Sequence, residues 1–377
     1  MATPDDSQAA LAERIIAERF WGDTTLTDPA WRKAWDAVPR AAFVPDDYFE
    51  WESGAWHARS RREDPTAWTD LVATHDQPVI TQITGGLSTC SVSAPVLVAA
   101  MLGGLDVADG MTVLESGTGA GWTASLLSAR LGDRNVVSVE YDPHLADLAR
   151  DRAAAAGFRP LILSGDGEAG HPARAPYDRV AATHAVDRIP PAWIAQTAVG
   201  GAVCAPLFIA RGLDLYVRLT VHGDGSASGP VLFPVAFMTS RSSTAGREPL
   251  ADGPARESVG TLDVSAVLAR GELWVPRLAL PGLEVTGPLL EDGDDTVWLQ
   301  TPDGSWAVAW TPRGAAWGGC EVRQYGPRDL WALAEDAYAS WLGAGGPGLD
   351  RYGLTVRADG THRIWLDKSS QVVSVLG

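Results

Sequence analysis

Three carboxylates stand at matching places in this chain. Glu115 closes the apolar run Thr112-Val-Leu114, Glu140 closes Val136-Val-Ser-Val139, and Asp166 follows Leu161-Ile-Leu163 within Ser164-Gly-Asp-Gly167. Behind the first comes a glycine at every second position, Gly117, Gly119 and Gly121, with Thr118 inside the turn and Trp122 after it. Glycines so spaced let the backbone approach a ligand closely. Upstream, Ser91 and Ser93 offer hydroxyls in Ser91-Val-Ser-Ala-Pro95; downstream, His184 lies in Ala182-Thr-His-Ala185. A bound pyrophosphate asks only for backbone N–H groups and a positive helix end. A ligand carrying an ammonium or sulfonium gains instead from a carboxylate.

The glycine turn alone is ambiguous, because Gly119-Ala-Gly-Trp-Thr-Ala124 also fits the dinucleotide pattern. Glu140, 19 positions beyond Gly121, suits a ribose diol in either ligand. Asp166 separates them, since it puts an acid where the adenine amino group of a nucleoside would lie. Singly, each acid is commonly a solvated loop carboxylate or a helix cap. An acid at the end of each of three successive strands is a specific pattern, and it points to S-adenosylmethionine, with S-adenosylhomocysteine as the product. The expected crevice comprises Glu115, Gly117, Thr118, Gly119, Gly121, Trp122, Glu140, Tyr141, Asp166 and Gly167.

These residues need elements to hold them. Strands are expected at Val113–Glu115, Val136–Glu140, Leu161–Leu163, Tyr177–Ala182 and Ala202–Leu207, with helices from Thr123, over Pro143–Ala156 and near Pro191–Val199. Strands alternating with helices predict a parallel sheet covered on both faces. From Asp214 the period changes to alternation, at Leu215–Val221 and Val231–Met238, which predicts an antiparallel hairpin at the sheet edge. The expectation is a seven-stranded doubly wound sheet of residues 76–240, a linker at 241–260, and a small α+β recognition domain at 261–377 containing a helix at Arg328–Leu342. Before it, residues 1–75 read as a helical region: frayed to residue 10, helical at Leu11–Phe20 and Pro29–Val38, extended at Val38–Pro45. Residues 50–70 read as an irregular Trp-rich insertion, and Pro78–Ile83 as a strand.

Composition narrows the partners. The 377 residues carry a net charge of −17, which argues against nucleic acid or an anionic membrane surface. The start, Met-Ala-Thr-Pro-Asp-Asp, lacks the basic and apolar regions of a signal peptide, so a cytoplasmic setting is expected. Cys90, Cys204 and Cys320 are far apart and show no zinc spacing, so no metal is expected and all three read as small buried thiols. Six of the sixteen tryptophans fall in 21–68 and eight in 274–365. Local core packing explains them; the sharper idea is that both flanks line a peptide groove.

The motifs together resemble the protein-L-isoaspartate O-methyltransferase family over roughly residues 30–240. Val38-Pro-Arg-Ala-Ala-Phe-Val-Pro45 is similar to its N-terminal signature, and Ser91-Val-Ser-Ala-Pro95 to its substrate-side segment. Glu115–Trp122, Gly165-Asp-Gly167, Ala175-Pro-Tyr-Asp178 and Gly200–Pro206 are similar to its later blocks. His75-Asp-Gln-Pro-Val-Ile-Thr-Gln82 and Tyr325-Gly-Pro-Arg-Asp-Leu-Trp331 further resemble the branch encoded with ATP-grasp peptide maturases, which tailor ribosomally made graspetides. The resemblance implies a class I methyltransferase fold and methyl transfer to an Asp or isoAsp carboxylate in such a peptide, leading to a succinimide (aspartimide). An ATP-grasp ligase would be the partner enzyme.

It also implies a catalytic position for Ser93, with Ser91 and His184 beside the substrate. From the residues alone, the serines read as caps of the helix after Pro95 and His184 as a satisfied structural histidine. The Trp-rich insertion departs from the shorter repair enzymes. The alternatives are a general isoaspartyl repair enzyme and a peptide-binding protein on an inactive methyltransferase fold.

Overall fold

The computed structural model describes residues 4–19, 25–239, 253–291, 294–312 and 319–376. Most of the expected linker therefore lies outside the described residues. The chain divides into two compact units: residues 1–185, 189–206 and 218–227, and residues 186–188, 207–217 and 228–377.

The first unit begins with helices α1 (Pro4–Glu18) and α2 (Pro29–Ala37). Helix α1 starts within the stretch expected to fray. Residues expected to be extended instead form a 3₁₀ turn, Arg40–Ala42. The expected irregular insertion is ordered: strands β1 (Asp47–Glu52) and β2 (Ala55–Ser60) pair around Ser53-Gly54, both at positive φ, and helix α3 (Pro65–Ala73) follows. A two-residue turn with both residues left-handed matches strand twist. The hairpin escaped the sequence reading because most of its side chains are exposed or half-buried on both faces, which erases alternation. Strands β3 (Val79–Thr84) and β4 (Leu87–Val92) complete a four-stranded sheet in the order β2-β1-β3-β4. Three helices share one start signal. Asp28, Asp64 and, later, Asp142 each precede a proline and accept first-turn amides of α2, α3 and α6 (Pro143–Ala155).

Helix α4 (Pro95–Leu105) leads into β5 (Val113–Ser116), α5 (Trp122–Leu131), β6 (Val136–Glu140), α6 (Pro143–Ala155), β7 (Leu161–Ser164), β8 (Tyr177–Ala182), α7 (Pro191–Ala195) and β9 (Thr197–Ala210). Strand β5 pairs in parallel with β6 on one side and β8 on the other, and β8 pairs in parallel with β9. Strands β10 (Leu213–Val221) and β11 (Ala227–Val235) follow through short turns. The largest sheet has the order β19 (Val372–Leu376), β18 (His362–Leu366), β17 (Tyr352–Val356), then β11-β10-β9-β8-β5-β6-β7. It holds the expected doubly wound set with its edge hairpin, plus three C-terminal strands that the sequence reading assigned elsewhere.

The second unit contains β12 (Arg256–Gly260), α8 (Val264–Ala269), α9 (Trp274–Ala279), β13 (Glu284–Glu291), β14 (Asp294–Gln300), β15 (Trp306–Trp310), β16 (Cys320–Tyr325) and α10 (Leu330–Gly343). After these come β17 (Tyr352–Val356), β18 (His362–Leu366) and β19 (Val372–Leu376), which pair antiparallel in sequence. Strands β12 to β16 form a second antiparallel sheet, β12-β16-β15-β14-β13. Its core joins Val285, Val297, Leu299, Ala307 and Val322 to Leu330, Trp331 and Ala334 of α10. The three cysteines are buried free thiols. Among the described residues no helix is long and apolar enough to cross a membrane.

Candidate active site

Strand order reverses at β5, so a crevice opens beyond its carboxyl end. The glycine turn fills that position. Gly117 donates to the Val139 carbonyl at 2.8 Å and sits at φ +94°; a Cβ there would come within 2.6 Å of Thr183 Oγ1. Gly121, at φ +90°, would place a Cβ 3.2 Å from that of Ala149, so its bareness lets the start of α5 approach α6.

Glu115 is wholly buried beneath this turn. Its Oε2 accepts from the Ser138 hydroxyl, which lies 2.5 Å from Thr118 Oγ1. Its Oε1 has no hydrogen-bond partner among the described residues. Burial pushes this carboxyl up to about 8; the Ser138 bond opposes the rise and nearby Glu140 adds to it. A buried acid with an open oxygen favours a cation as its missing partner. The residues thus fit S-adenosylmethionine, whose ammonium and sulfonium supply that charge.

Glu140 is buried and held by two backbone amides, Gly119 to Oε2 at 2.8 Å and Asp142 to Oε1 at 3.0 Å. Each oxygen keeps a second acceptor direction for a ligand hydroxyl. Tyr141, next in sequence, is 60% exposed. Asp166 is exposed at the end of β7, and its Oδ1 accepts from Glu168 N at 2.9 Å, so it caps a short turn as well as presenting an acid. Gly167 must be glycine, since a Cβ would lie 2.2 Å from Ser116 Oγ, and its carbonyl accepts from Trp193 Nε1 at 2.8 Å. The Trp122 side chain does not join this group. Its indole is buried, donates to the Val38 carbonyl at 3.1 Å and meets Trp35 edge to face, which leaves only its backbone at the turn.

His184 Nε2 lies 2.8 Å from Ser116 Oγ, and its ring stands edge-on to Trp193. Burial lowers its pKa, with the Ala185 carbonyl and three surrounding acids opposing, so the ring is held towards the neutral form. It packs against the glycine turn, its Cδ2 3.0 Å from where a Gly117 Cβ would stand.

The serines come from the neighbouring hairpin. Ser91 pairs with Ile80 one residue before the end of β4, and its carbonyl lies 3.6 Å from where a Gly119 Cβ would stand, so β4 passes close over the glycine turn. Ser93 follows, half-buried. Neither serine caps α4: the cap residue is Ala94, with no side-chain bond, and the Val96 amide donates instead to the His75 carbonyl at 2.9 Å. Their hydroxyls are not spent on the helix.

Sequence reasoning missed what holds this loop. Arg40 is 1% exposed and has no carboxylate partner among the described residues. Its Nη1 donates to the carbonyls of Leu71, Val72 and Thr74 at 3.3, 3.0 and 3.0 Å. Its Nη2 donates to those of Gln77, Val92 and Ser93 at 2.8, 3.3 and 3.3 Å. Burial lowers its pKa to about 10, so it remains a cation at neutral pH. The available signal was a lone arginine between prolines and apolar residues in Val38–Pro45, a place where a solvated side chain is not expected.

Comparison with known proteins agrees with the site. Residues 65–244 match the family model of protein-L-isoaspartate(D-aspartate) O-methyltransferase. A protein-L-isoaspartate O-methyltransferase of Methanococcoides burtonii is 33% identical over 211 residues, 55% of this chain and 91% of that protein. One from Ignicoccus hospitalis is 35% identical over 150 residues, 39% of this chain and 71% of that protein. A solved protein-L-isoaspartate O-methyltransferase superposes with a TM-score of 0.55 at 21% identity, covering 96% of this chain and 100% of its own. That likeness is one of fold. The chain belongs to the protein-L-isoaspartate O-methyltransferase family.

Proposed function

We propose that this chain esterifies an aspartyl or isoaspartyl side-chain carboxylate of a peptide, using the crevice beyond β5. At the level its family shows, it is an S-adenosylmethionine-dependent protein carboxyl O-methyltransferase. The observation that carries the site reading is Glu115: a fully buried acid whose Oε1 lacks a partner among the described residues, beneath a glycine turn that β4 passes closely. When bound, S-adenosylmethionine supplies an electrophilic methyl group on a cationic sulfur. Glu115 offsets that charge, Glu140 holds the ribose hydroxyls and Asp166 the adenine edge. Ser93, with Ser91 beside it, orients the acceptor carboxylate. A carboxylate of ordinary pKa near about 4 is already ionised at neutral pH, so no general base is required. Alignment and cancellation of charge carry the rate.

The finer reading is maturation of a ribosomally made peptide already modified by an ATP-grasp ligase, where the ester closes to a succinimide that is kept. It is supported by the resemblance of residues 75–82 and 325–331 to that branch, although part of the second segment has a structural task, since Asp329 caps α10. Recognition of that peptide is assigned to residues 261–377. The second reading, repair of isoaspartyl damage in proteins generally, is supported by the names of the relatives. Mass spectrometry separates them. Offered a plain isoaspartyl peptide and an ATP-grasp-crosslinked peptide, a maturation enzyme adds the mass of a methylene and then shows net loss of water on the crosslinked peptide. Turnover of the plain isoaspartyl peptide alone sinks the maturation reading.

A further inference from the structure

Strand β3 is irregular around one residue. Its register against β4 shifts on both sides of Gln82, between Ile80 and Gln82 and again between Gln82 and Ile83. Such irregularities re-aim a side chain by giving up ladder pairing. Here the side chain is aimed at the donor half of the crevice. Gln82 Nε2 donates to Asp142 Oδ2 at 3.0 Å, and Gln82 Oε1 accepts from Thr89 Oγ1 at 2.8 Å. An ionised carboxylate only accepts, so the amide orientation is fixed by its partners.

Asp142 continues the line. Its Oδ1 caps α6 through the His144 amide at 2.9 Å, and its own amide donates to Glu140 Oε1 at 3.0 Å. Glu140 Oε2 accepts from Gly119 at 2.8 Å. An unbroken run of hydrogen bonds thus joins Thr89, two residues before Ser91, to the glycine turn. Every link lies in the first unit.

We propose that Gln82 is a positioning residue that carries donor occupancy of the crevice to the hairpin bearing Ser91 and Ser93. The proposal rests on the methyl-donor reading above. A ligand hydroxyl on Glu140 alters the amide bonds that Glu140 accepts; Asp142 responds through its amide, and Gln82 transmits the change to β4. The acceptor side is thereby ordered once the donor is in place.

Hydrogen exchange with S-adenosylhomocysteine as probe tests this without a peptide. In the wild type the ligand slows exchange in both 140–145 and 79–93, each by about fivefold or more, the lower end of ordinary coupling between sites. In Gln82→Ala, protection persists at 140–145 and falls below about twofold at 79–93. Gln82→Glu keeps the side chain's size but sets carboxylate against carboxylate, and shows the same loss; near-UV circular dichroism checks that each variant is folded. Hairpin protection retained in folded Gln82→Ala overturns the proposal, as does a wild type whose hairpin is never protected. A wild type with no protection anywhere overturns the donor reading itself, a different and distinguishable failure.

Discussion

The donor half of the crevice draws its partners from a short span of chain: Glu115 on Ser138, Glu140 on Gly119 and Asp142, Asp166 on Glu168. The acceptor half is gathered from far apart. One arginine at position 40 bonds carbonyls of residues 71, 72, 74, 77, 92 and 93, and a carbonyl of His75 takes the amide that would otherwise need a capping side chain. The difference is one of chemistry as well as distance. The donor half uses side chains whose type is dictated by the ligand's charge, and glycines whose absence of Cβ is dictated by close approach. The acceptor half uses main-chain carbonyls, which every residue has. A ligand site made of side chains leaves a pattern in sequence; a loop held through its backbone does not.

Breaking the buried cation gives the largest effect. Arg40→Met strands up to six carbonyls around an apolar side chain and is expected to cost about 3 kcal/mol or more of stability, read by thermal or urea unfolding. A loss below about 1 kcal/mol would mean that the loop is held by something else.

Next comes the donor half. Glu115→Gln removes the charge that answers the ligand's cation, a charge-assisted interaction worth about 1.5–3 kcal/mol, so donor affinity measured by calorimetry weakens about ten- to hundredfold. Stability moves the other way. The folded-state pKa of Glu115, about 8, is raised above its ordinary value of 4.5, so the folded protein holds this proton more tightly than the unfolded chain. The stability it gives is complete below 4.5 and is lost as pH rises through about 8. The melting temperature of Glu115→Gln therefore gains on the wild type between about pH 4.5 and about pH 8. An unchanged difference across that window would place Glu115 in an ordinary, already ionised state.

Ser93→Ala sharpens the contrast between capping and chemistry. A capping serine costs about 1 kcal/mol when removed. Ser93 caps nothing, so stability stays within about 0.5 kcal/mol while kcat/KM falls about ten- to hundredfold through loss of alignment. A binding protein on an inactive fold would keep its peptide affinity and show no turnover to lose. The smallest effect is expected at the tip of the β1–β2 hairpin. There Trp51 is 60% exposed and stacks edge-on against Trp56, so core packing does not account for it. Trp51→Ser is expected to raise the peptide KM a few-fold, under about 1 kcal/mol, with donor affinity unchanged; no change in KM would remove the hairpin from peptide recognition.

Legibility in the sequence follows the same division. The strands and helices from Val113 to Ala182 were readable because both faces of a parallel strand are buried and its runs are apolar. The glycine turn and its acids were readable because ligand and backbone geometry admit few residue types. The β1–β2 hairpin was hidden because its strands are wet on both faces, despite a Ser-Gly turn that could have flagged it. Strands β17 to β19 fall within the expected α+β domain, but their membership of the large sheet depends on long-range pairing that no local period encodes. Arg40 was quoted only as part of a motif, and its buried setting is a tertiary fact.

The most direct test of the account is transfer of a radiolabelled methyl group from S-adenosylmethionine to a peptide with a single isoaspartyl or crosslink-flanked aspartyl carboxylate, compared with the same peptide carrying the amide. The account predicts label on the acid peptide alone, released as methanol by mild base, as a carboxyl methyl ester must be. Base-stable label, or equal labelling of acid and amide peptides, would contradict carboxylate methylation by this chain.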